Sequence, residues 1–377
     1  MAYVGEKLKE WFMWLHEHPE TGFSELETTA KLRGLLEEAG ITVLSTGLET
    51  GLVARIDGAG PGHCIALRAD MDALPVTEET GLPYASRCPG RMHACGHDAH
   101  ATMVLGAALL LQERRATWRG SVLVVFQPAE ELAEGARRVL DTGALRDAEL
   151  FLGVHVSPGL PVGALGIRPG PAMAAVDRFA ITVRGRGTHA AAPHKGVDPI
   201  VVQAALVQSL QTIVSRALDP FDTALVSITH AESGNTWNVI PETAFLEGTV
   251  RTLDPAVRGR VETLLRTITE QLAASLGARA EVTWYPGPPA VINDAALCRA
   301  AEDVARQAGL ALATPENTLG GEDFSCYLEG RPGVFIRVGI GDSAPLHHPR
   351  FRVDMAILDP TARYLAQLAQ TLLAQVG

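Results

Sequence analysis

The hydrophobic positions in the first part of the chain form short continuous runs separated by a longer apolar segment. The runs CIALRAD (64–70), SVLVVFQ (121–127) and AELFLGVH (148–155) are rich in branched side chains, as strands buried on both faces of a sheet are. The segment AHATMVLGAALLLQERR (99–115) is apolar nearly all round and has the length of a helix. This alternation predicts an α/β fold with a mostly parallel sheet.

The middle of the chain has a different pattern. DRFAITVRG (177–185) alternates polar and apolar positions, which predicts a strand with one buried face. Asp198-Pro199 and Asp254-Pro255 predict two helix starts, because an acidic N-cap followed by proline is typical of them. Three further strands are predicted at TALVSITH (223–230), TAFLEGTVRT (243–252) and ARAEVTWY (278–285). The order β-α-β-β-α-β predicts a ferredoxin-like unit.

Segments rich in proline and glycine bracket this unit, GIRPGPAM before it and YPGPPAVIND after it. The α/β pattern then resumes with a predicted strand, GVFIRVGIG (333–341), and a closing amphipathic helix. We therefore predict a discontinuous domain of residues 1–175 and 286–377, with an inserted domain of residues 176–285.

Composition and charge narrow the class of protein. The chain has 377 residues, 47% of them hydrophobic and 20% charged, as expected for an ordinary globular protein. The net charge of -11, without a Lys/Arg cluster, argues against a nucleic-acid partner. The N-terminal stretch lacks the apolar core of a signal peptide, and no apolar run is long enough to span a bilayer. Five scattered cysteines do not make a disulfide framework, so we expect a cytoplasmic protein without a membrane partner.

Residues that bind metals are crowded into MHACGHDAH (92–100). Cys95 and His97 are two residues apart, and both are good ligands for a borderline-soft metal such as zinc. Free cysteines are also common as small core hydrophobes, and histidines occur often at helix ends. Together in a glycine-containing turn, the two residues favour a metal site.

Further candidates follow the predicted strands. Glu130 and Glu131 come after SVLVVFQ and a proline, where adjacent side chains point in different directions, so one can bind metal and the other can face a water. Two like charges at a buried strand end need a counter-charge, which a cation supplies. Asp70 and Asp72 would share a face if their strand continued, with Asp72 orienting a ligand or acting in a capped turn. His155 closes the third strand, either as a ligand or as a core histidine bonded to a carbonyl.

These residues are all predicted to lie at the carboxyl ends of strands in one sheet, where α/β proteins bind ligands. Five or six ligands suit two divalent metals bridged by hydroxide, an arrangement used for metal-assisted hydrolysis. The pattern therefore predicts a metal-dependent hydrolase.

The chain also resembles the metal-dependent aminoacylase and carboxypeptidase family, in its cysteine-containing amidohydrolase branch. That branch includes hippurate hydrolases and indole-acetyl-amino-acid hydrolases. The resemblance covers nearly the whole chain and is carried, in order, by RADMDALP, MHACGHDAH, FQPAEE, GVHVSP, GRGTHAAAPH, NVIPETAFLEGTVRT, GGEDFS and LHHPRF.

The resemblance implies hydrolysis of the amide bond of N-acyl-L-amino acids with two divalent ions per subunit. Manganese or zinc is expected, with cobalt or nickel as alternatives. The implied metal ligands are Cys95, His97, Glu131, His155 and His347. The inserted domain would be a lid through which the chain forms a homodimer or higher homo-oligomer.

The resemblance also implies roles for residues that do not bind metal. Glu130 would be the general base, and Asp72 would orient the site. His189 would stabilise the tetrahedral oxyanion in the neighbouring subunit's site. Asn238 and Arg251 would bind the substrate, since the two-pronged guanidinium suits its free carboxylate.

The chain departs from the family pattern at three places. LAEGA follows the paired glutamates where a glycine run is usual, and Thr188 replaces a common glycine. His348 stands where asparagine is usual, which leaves the last ligand open between His347 and His348.

Other functions remain as alternatives. A metallo-carboxypeptidase or dipeptidase acting on small peptides would share these residues, and a cysteine hydrolase would use Cys95 as its nucleophile. A structural metal in a binding protein is disfavoured, because structural zinc sites are closed and usually rich in sulfur. The stretch GAGPG (58–62) lacks the spacing of a nucleotide-binding loop.

Overall fold

The structure is a computed structural model that describes residues 2–316 and 318–375. Its helices are α1 (Ala2–Glu17), α2 (Leu26–Glu38), α3 (His97–Glu113), α4 (Gly135–Asp141), α5 (Pro199–Leu210), α6 (Pro255–Ser275), α7 (Ala295–Gln307) and α8 (Leu358–Gln375). Its strands are β1 (Thr42–Val43), β2 (Leu52–Asp57), β3 (Cys64–Asp70), β4 (Ser121–Gln127), β5 (Leu150–Ser157), β6 (Leu165–Gly166), β7 (Gly170–Met173), β8 (Ala175–Arg184), β9 (Thr188–His189), β10 (Ala224–Ser233), β11 (Val239–Ile240), β12 (Thr243–Thr252), β13 (Arg279–Pro286), β14 (Val291–Asn293), β15 (Leu312–Ala313) and β16 (Gly333–Gly339).

The described residues form two compact units. The first contains the chain up to Ala172, Ile292–Glu316 and the residues from Asp323 onward. The second contains Met173–Val291 and a short segment that ends at Glu322.

The first unit is built on a sheet of strand order β1-β2-β4-β3-β5-β16-β6-β15. Its centre is parallel, because β3 pairs in parallel with both β4 and β5, and β16 pairs in parallel with β5. Antiparallel pairs occur toward the edges, between β1 and β2, β2 and β4, and β6 and β16. The prediction of an α/β fold with a mostly parallel sheet is confirmed.

Burial explains why the central strands read as continuous apolar runs. Every residue of β3 and β4 is buried, as expected for central strands covered on both faces. Buried residues of α1, α3 and α8 form one hydrophobic core with the sheet. The aromatic residues Phe151, Phe324, Tyr327 and Phe335 contact one another, with ring centroids 5.2–6.0 Å apart.

The second unit has a four-stranded antiparallel sheet of order β10-β12-β8-β13. Burial alternates along β12, whose inward side chains form a separate core with α5 and α6. Both helices begin as their sequences predict, since Asp198 accepts from the Ile200 amide at 2.9 Å and Asp254 from the Ala256 amide at 2.7 Å. The element order is strand, helix, strand, strand, helix, strand, interrupted by the short strands β9 and β11.

One predicted strand end was wrong, and one condition set by the sequence analysis is not met. Strand β5 continues to Ser157, so His155 lies inside the strand and not at its end, because the backbone keeps pairing with β16 through Ser157. Strand β3 stops at Asp70, so Asp72 lies beyond the strand and does not share a strand face with Asp70. Helix α3 starts at His97, two residues before the apolar segment 99–115. Among the described residues, no helix is both long and apolar enough to cross a membrane.

Candidate metal centre

Gly96 forms the turn that separates Cys95 from His97. Its backbone is left-handed (φ 86°), and a Cβ at this position would lie 2.5 Å from Cγ2 of Val156. Only glycine meets both requirements without strain. The turn makes His97 the first residue of α3 and leaves Cys95 just ahead of the helix.

The paired glutamates lie on a tight turn after β4. The single 3-10 turn Glu130–Leu132 is flanked by Ala129 (φ 51°) and Ala133 (φ 57°), both left-handed. Such backbone in residues other than glycine costs free energy and is often found at functional sites. The Glu131 amide donates to Oδ2 of Asp72 at 3.0 Å, which fixes the turn against the end of β3.

The five residues predicted as metal ligands come together in the first unit. Their ligand atoms form groups in which all atoms lie within 4.8 Å of one another: Cys95 with His97 and His155, and Cys95 with Glu131 and His347. Another group of the same kind contains His97, Glu130 and Glu131. The groups share Cys95, His97 and Glu131, so the five residues form one cluster.

Hydrogen bonds to Nδ1 of His97 and of His155 determine which ring nitrogen of each histidine can face a ligand. Nδ1 of His97 lies 3.1 Å from Oδ1 of Asp72, and Nδ1 of His155 lies 2.7 Å from the Val156 carbonyl oxygen. Both partners are acceptors, so each Nδ1 donates, and Nε2 is the ring nitrogen that remains for a metal ion. Nε2 of His155 lies 3.5 Å from Cys95 Sγ. His155 is thus both bonded to a carbonyl and available as a ligand.

A buried polar atom indicates that a cation fits here. Nε2 of His97 is buried without a hydrogen-bond partner among the described residues, and it lies 3.9 Å from Oε1 of Glu131, which faces Nε2 of His347 at 3.3 Å. Buried polar atoms are rarely left unpaired. Nitrogen, oxygen and sulfur donors around one space suit a divalent transition metal.

Burial controls the ionisation of the neighbouring groups. Burial raises the pKa of the Cys95 thiol well above the ordinary value of a cysteine. It also lowers the pKa of His155 well below the ordinary value of a histidine. Burial also opposes the ionisation of Glu131, but the hydrogen bond from His347 and the charge of His97 together hold its pKa below the ordinary value. A thiol that binds a metal ion loses its proton, so the raised pKa describes Cys95 without a bound ion.

His347 and His348 differ in their contacts. Nε2 of His347 lies 3.3 Å from Oε1 of Glu131, and the Glu131 carboxylate raises the pKa of His347 through this hydrogen bond. The backbone of His347 is left-handed (φ 67°), and its amide donates to the Ala94 carbonyl at 2.8 Å. His348 instead accepts the Arg350 amide at Nδ1, at 3.1 Å. The geometry therefore favours His347 as the last ligand.

A buried polar layer next to the ligands was not identified from the sequence. It consists of Arg68, Asp70, His100, Gln127 and Asp323. The fully buried Arg68 donates to Asp70 at 2.7 Å, to Asp323 at 2.9 Å and to Gln127 at 2.9 Å. Asp70 in turn lies 2.6 Å from Nδ1 of His100. The available signal was a charged residue in the middle of the apolar run CIALRAD, since a buried charge must find a partner.

A series of hydrogen bonds that begins at Asp70 reaches His155, one of the predicted ligands. Nδ1 of His100 faces the Asp70 carboxylate, so it donates, and Nε2 accepts the Val156 amide at 2.8 Å. The carbonyl of the same residue, Val156, orients His155. The buried polar layer therefore fixes the strand segment that carries a ligand.

Loss of the Arg68 charge should destabilise the first unit strongly. We expect Arg68→Met to lower the free energy of unfolding by about 3–5 kcal/mol, because Asp70 and Asp323 would stay buried without their counter-charge. Burial already raises the pKa of Asp323 to about 6. Arg55→Met is the matched control, since this half-buried arginine of β2 pairs with the exposed Asp57 and should contribute about 1 kcal/mol or less. Equal shifts of the two variants in urea unfolding would contradict this prediction.

The other predicted site residues lie in the second unit. Strand β9, which contains His189, pairs with β11, and the Ala190 amide donates to the Asn238 carbonyl at 3.0 Å. The Ala191 amide donates to Nδ1 of the exposed His189 at 3.0 Å, which leaves the proton on Nε2. Arg251 is half-buried on β12 and donates to Thr249 and to the Val250 carbonyl.

Comparison with known proteins is consistent with this geometry. A family model described as "Peptidase family M20/M25/M40" matches residues 66–371. An N-acetylcysteine deacetylase of Bacillus subtilis (strain 168) is 45% identical over 96% of both chains. Thermostable carboxypeptidase 1 of Saccharolobus solfataricus is 36% identical over 96% of this chain and 92% of its own. A solved Bacillus subtilis structure, described as a dinuclear metal-binding peptidase from the M20 family, is 42% identical over 100% of both chains with a TM-score of 0.92.

Proposed function

Because the chain belongs to peptidase family M20/M25/M40 and is a metal-dependent amidohydrolase, we propose that it hydrolyses the amide bond of N-acyl-L-amino acids. The products are a carboxylic acid and an amino acid. The observation that carries the proposal is the cluster of overlapping ligand groups around His97 and Glu131, in which Nε2 of His97 is buried without a hydrogen-bond partner among the described residues. The N-acetylcysteine deacetylase relative supports the acyl amino acid substrate.

Two divalent ions would be held by Cys95, His97, Glu131, His155 and His347. We propose manganese or zinc, with cobalt or nickel as alternatives. When bound, the ions would supply Lewis acidity that makes a water acidic and polarises the amide carbonyl. The dinuclear relative supports two ions. Asp72 would keep His97 in the binding tautomer through the bond to Nδ1.

Metal content is the first test of this site. We expect about two divalent ions per chain in protein purified without chelator, as in other two-metal hydrolases. The measurement is elemental analysis, repeated on Cys95→Ala, which should hold less metal, and on Cys88→Ala, a partly exposed cysteine outside the ligand groups, which should hold the same amount. Metal-free protein with unchanged turnover would contradict the prediction.

Glu130 would be the general base. Its carboxylate belongs to a group with His97 and Glu131, but to neither of the two groups that contain Cys95. A carboxylate so placed can take a proton from the attacking water and later give it to the leaving amine. Glu130 would therefore move the proton, while Glu131 would help to hold the metal.

The second unit would act as a lid that supplies substrate contacts. His189 keeps a proton on Nε2, as a donor to a developing oxyanion must. We propose that it serves the site of a partner copy in a homodimer, following the family resemblance. Asn238, beside His189, and Arg251 would bind the substrate, with the guanidinium on its free carboxylate.

A second function, cleavage of small peptides, is favoured by the carboxypeptidase relative. A panel of N-acetyl, N-benzoyl and indole-acetyl amino acids, assayed beside dipeptides, separates the two functions. We expect higher kcat/KM for the acyl amino acids; the reverse order would favour the peptidase.

The proposed location is the cytoplasm. All five cysteines, Cys64, Cys88, Cys95, Cys298 and Cys326, are free thiols, which suits a reducing compartment.

A further inference from the structure

A buried carboxyl group from the N-terminal segment reaches the turn that carries the paired glutamates. Glu25 is fully buried, and its Oε1 accepts the backbone amide of Ala129 at 2.8 Å. Ala129 is also fully buried, directly precedes Glu130 and has a left-handed backbone (φ 51°). The hydrogen bond therefore fixes the residue that sets the direction of the chain into Glu130.

Glu25 makes this contact instead of capping its own helix. It occupies the N-cap position of α2, where a short polar side chain would ordinarily accept the first helical amides, but its side chain makes no such bond. Glu20 accepts those amides, from Glu27 at 3.1 Å and from Thr28 at 2.8 Å. The Glu25 carboxyl group is thus available to another segment, and its burial is otherwise unfavourable.

The same N-terminal segment packs against the turn and against the loop of Asp72. A Cβ added to Gly22 would lie 3.1 Å from both Cα and Cβ of Ala129. The Ala73 amide donates to the Glu20 carbonyl at 2.8 Å, one residue after Asp72. This close packing leaves the turn little room to move toward the segment.

Two carboxyl groups therefore hold the turn, one on each side of Glu130. Glu25 accepts the Ala129 amide, and Asp72 accepts the Glu131 amide at 3.0 Å. Burial raises the pKa of Glu25 to about 7, against the Ala129 bond and the nearby Thr50 side chain. The bond needs only an acceptor oxygen, which a neutral carboxyl or an amide side chain also provides.

We propose that Glu25 is a positioning residue for the reaction: it holds Glu130 at the reacting atoms through Ala129 and touches none of those atoms itself. The inference rests on the proposed function, because it takes Glu130 as the proton acceptor. A misplacement of about 1 Å in a catalytic group costs on the order of 10²-fold in turnover.

The test compares Glu25→Gln, which keeps the acceptor, with Glu25→Leu, which removes it at similar volume. With an N-acetyl amino acid as substrate, Glu25→Leu should lower kcat by about 10- to 100-fold with KM within about 3-fold, since the substrate and metal contacts stay in place. Glu25→Gln should keep kcat within about 3-fold. Metal content should equal that of the wild type in both variants.

Glu20→Ala is the matched control, because it removes the caps of α2 from the same segment without touching the turn. It should lower the melting temperature and leave kcat unchanged. Gly22→Ala gives an independent perturbation, since its Cβ would press on Ala129. It should lower kcat even if Glu25→Leu does not fold.

Three results would overturn the inference: wild-type kcat in Glu25→Leu, equal losses in Glu25→Gln and Glu25→Leu, or, if Glu25→Leu does not fold, wild-type kcat in Gly22→Ala. Wild-type protein and Glu130→Gln are assayed in parallel. If the wild type cleaves no acyl amino acid, or Glu130→Gln cleaves as fast as the wild type, the proposed function fails instead.

Discussion

Glu130→Gln should lower kcat by about 10³-fold or more while the protein keeps its metal and its melting temperature. The substitution preserves shape but removes the group that accepts and returns the proton, and general acid–base catalysis contributes about 10²–10⁴-fold. Glu130 shares its ligand group with His97 and Glu131 but is absent from the two groups built on Cys95. The measurements are steady-state kinetics on an N-acyl amino acid and elemental analysis of the same preparation.

Two comparison variants sharpen this result. Glu131→Gln should lose metal as well as turnover, because Glu131 Oε1 faces both His97 and His347. Glu134→Gln, an exposed glutamate of the same loop, should behave as the wild type. Metal loss in Glu130→Gln, with metal retained in Glu131→Gln, would mean that the roles of the two glutamates are reversed.

His189→Ala should lower kcat by about 10²–10³-fold, the usual effect of removing one oxyanion donor. Metal content and folding should not change, since His189 lies in the second unit. The one hydrogen bond described for its side chain is accepted from the Ala191 amide. His194→Ala is the control, because His194 is exposed in the next turn of the same segment. Equal turnover of His189→Ala and the wild type would remove His189 from the mechanism.

Mixing two inactive variants tests whether His189 serves the partner copy. If each site combines Glu130 of one chain with His189 of the other, a mixed dimer of Glu130→Gln and His189→Ala has one intact site. Random exchange should then restore about a quarter of wild-type activity, since half of the dimers are mixed and half of their sites are intact. Confirmed exchange with no recovered activity would show that His189 acts within its own chain or not at all.

Local pattern was sufficient for several regular elements. Strands β3, β4 and β12 begin and end where the sequence predicts, because their runs of apolar or alternating side chains match the burial of the sheet. Helix α6 starts where Asp254-Pro255 indicates. The end of β5 was misjudged, since pairing with β16 carries the strand beyond His155.

The sequence by itself determined which residue types meet at the site: a cysteine, histidines and carboxylates in the motifs that the chain shares with the family. Only the tertiary structure decided how they are oriented. The tautomer of His97 depends on Asp72, 25 residues away, and that of His155 on a carbonyl beside it. The hydrogen bonds from Arg68 to Asp323 and from the Ala129 amide to Glu25 join segments that are far apart in the chain. Local preference does not encode such hydrogen bonds, because they form only where folding excludes water from groups that need a partner.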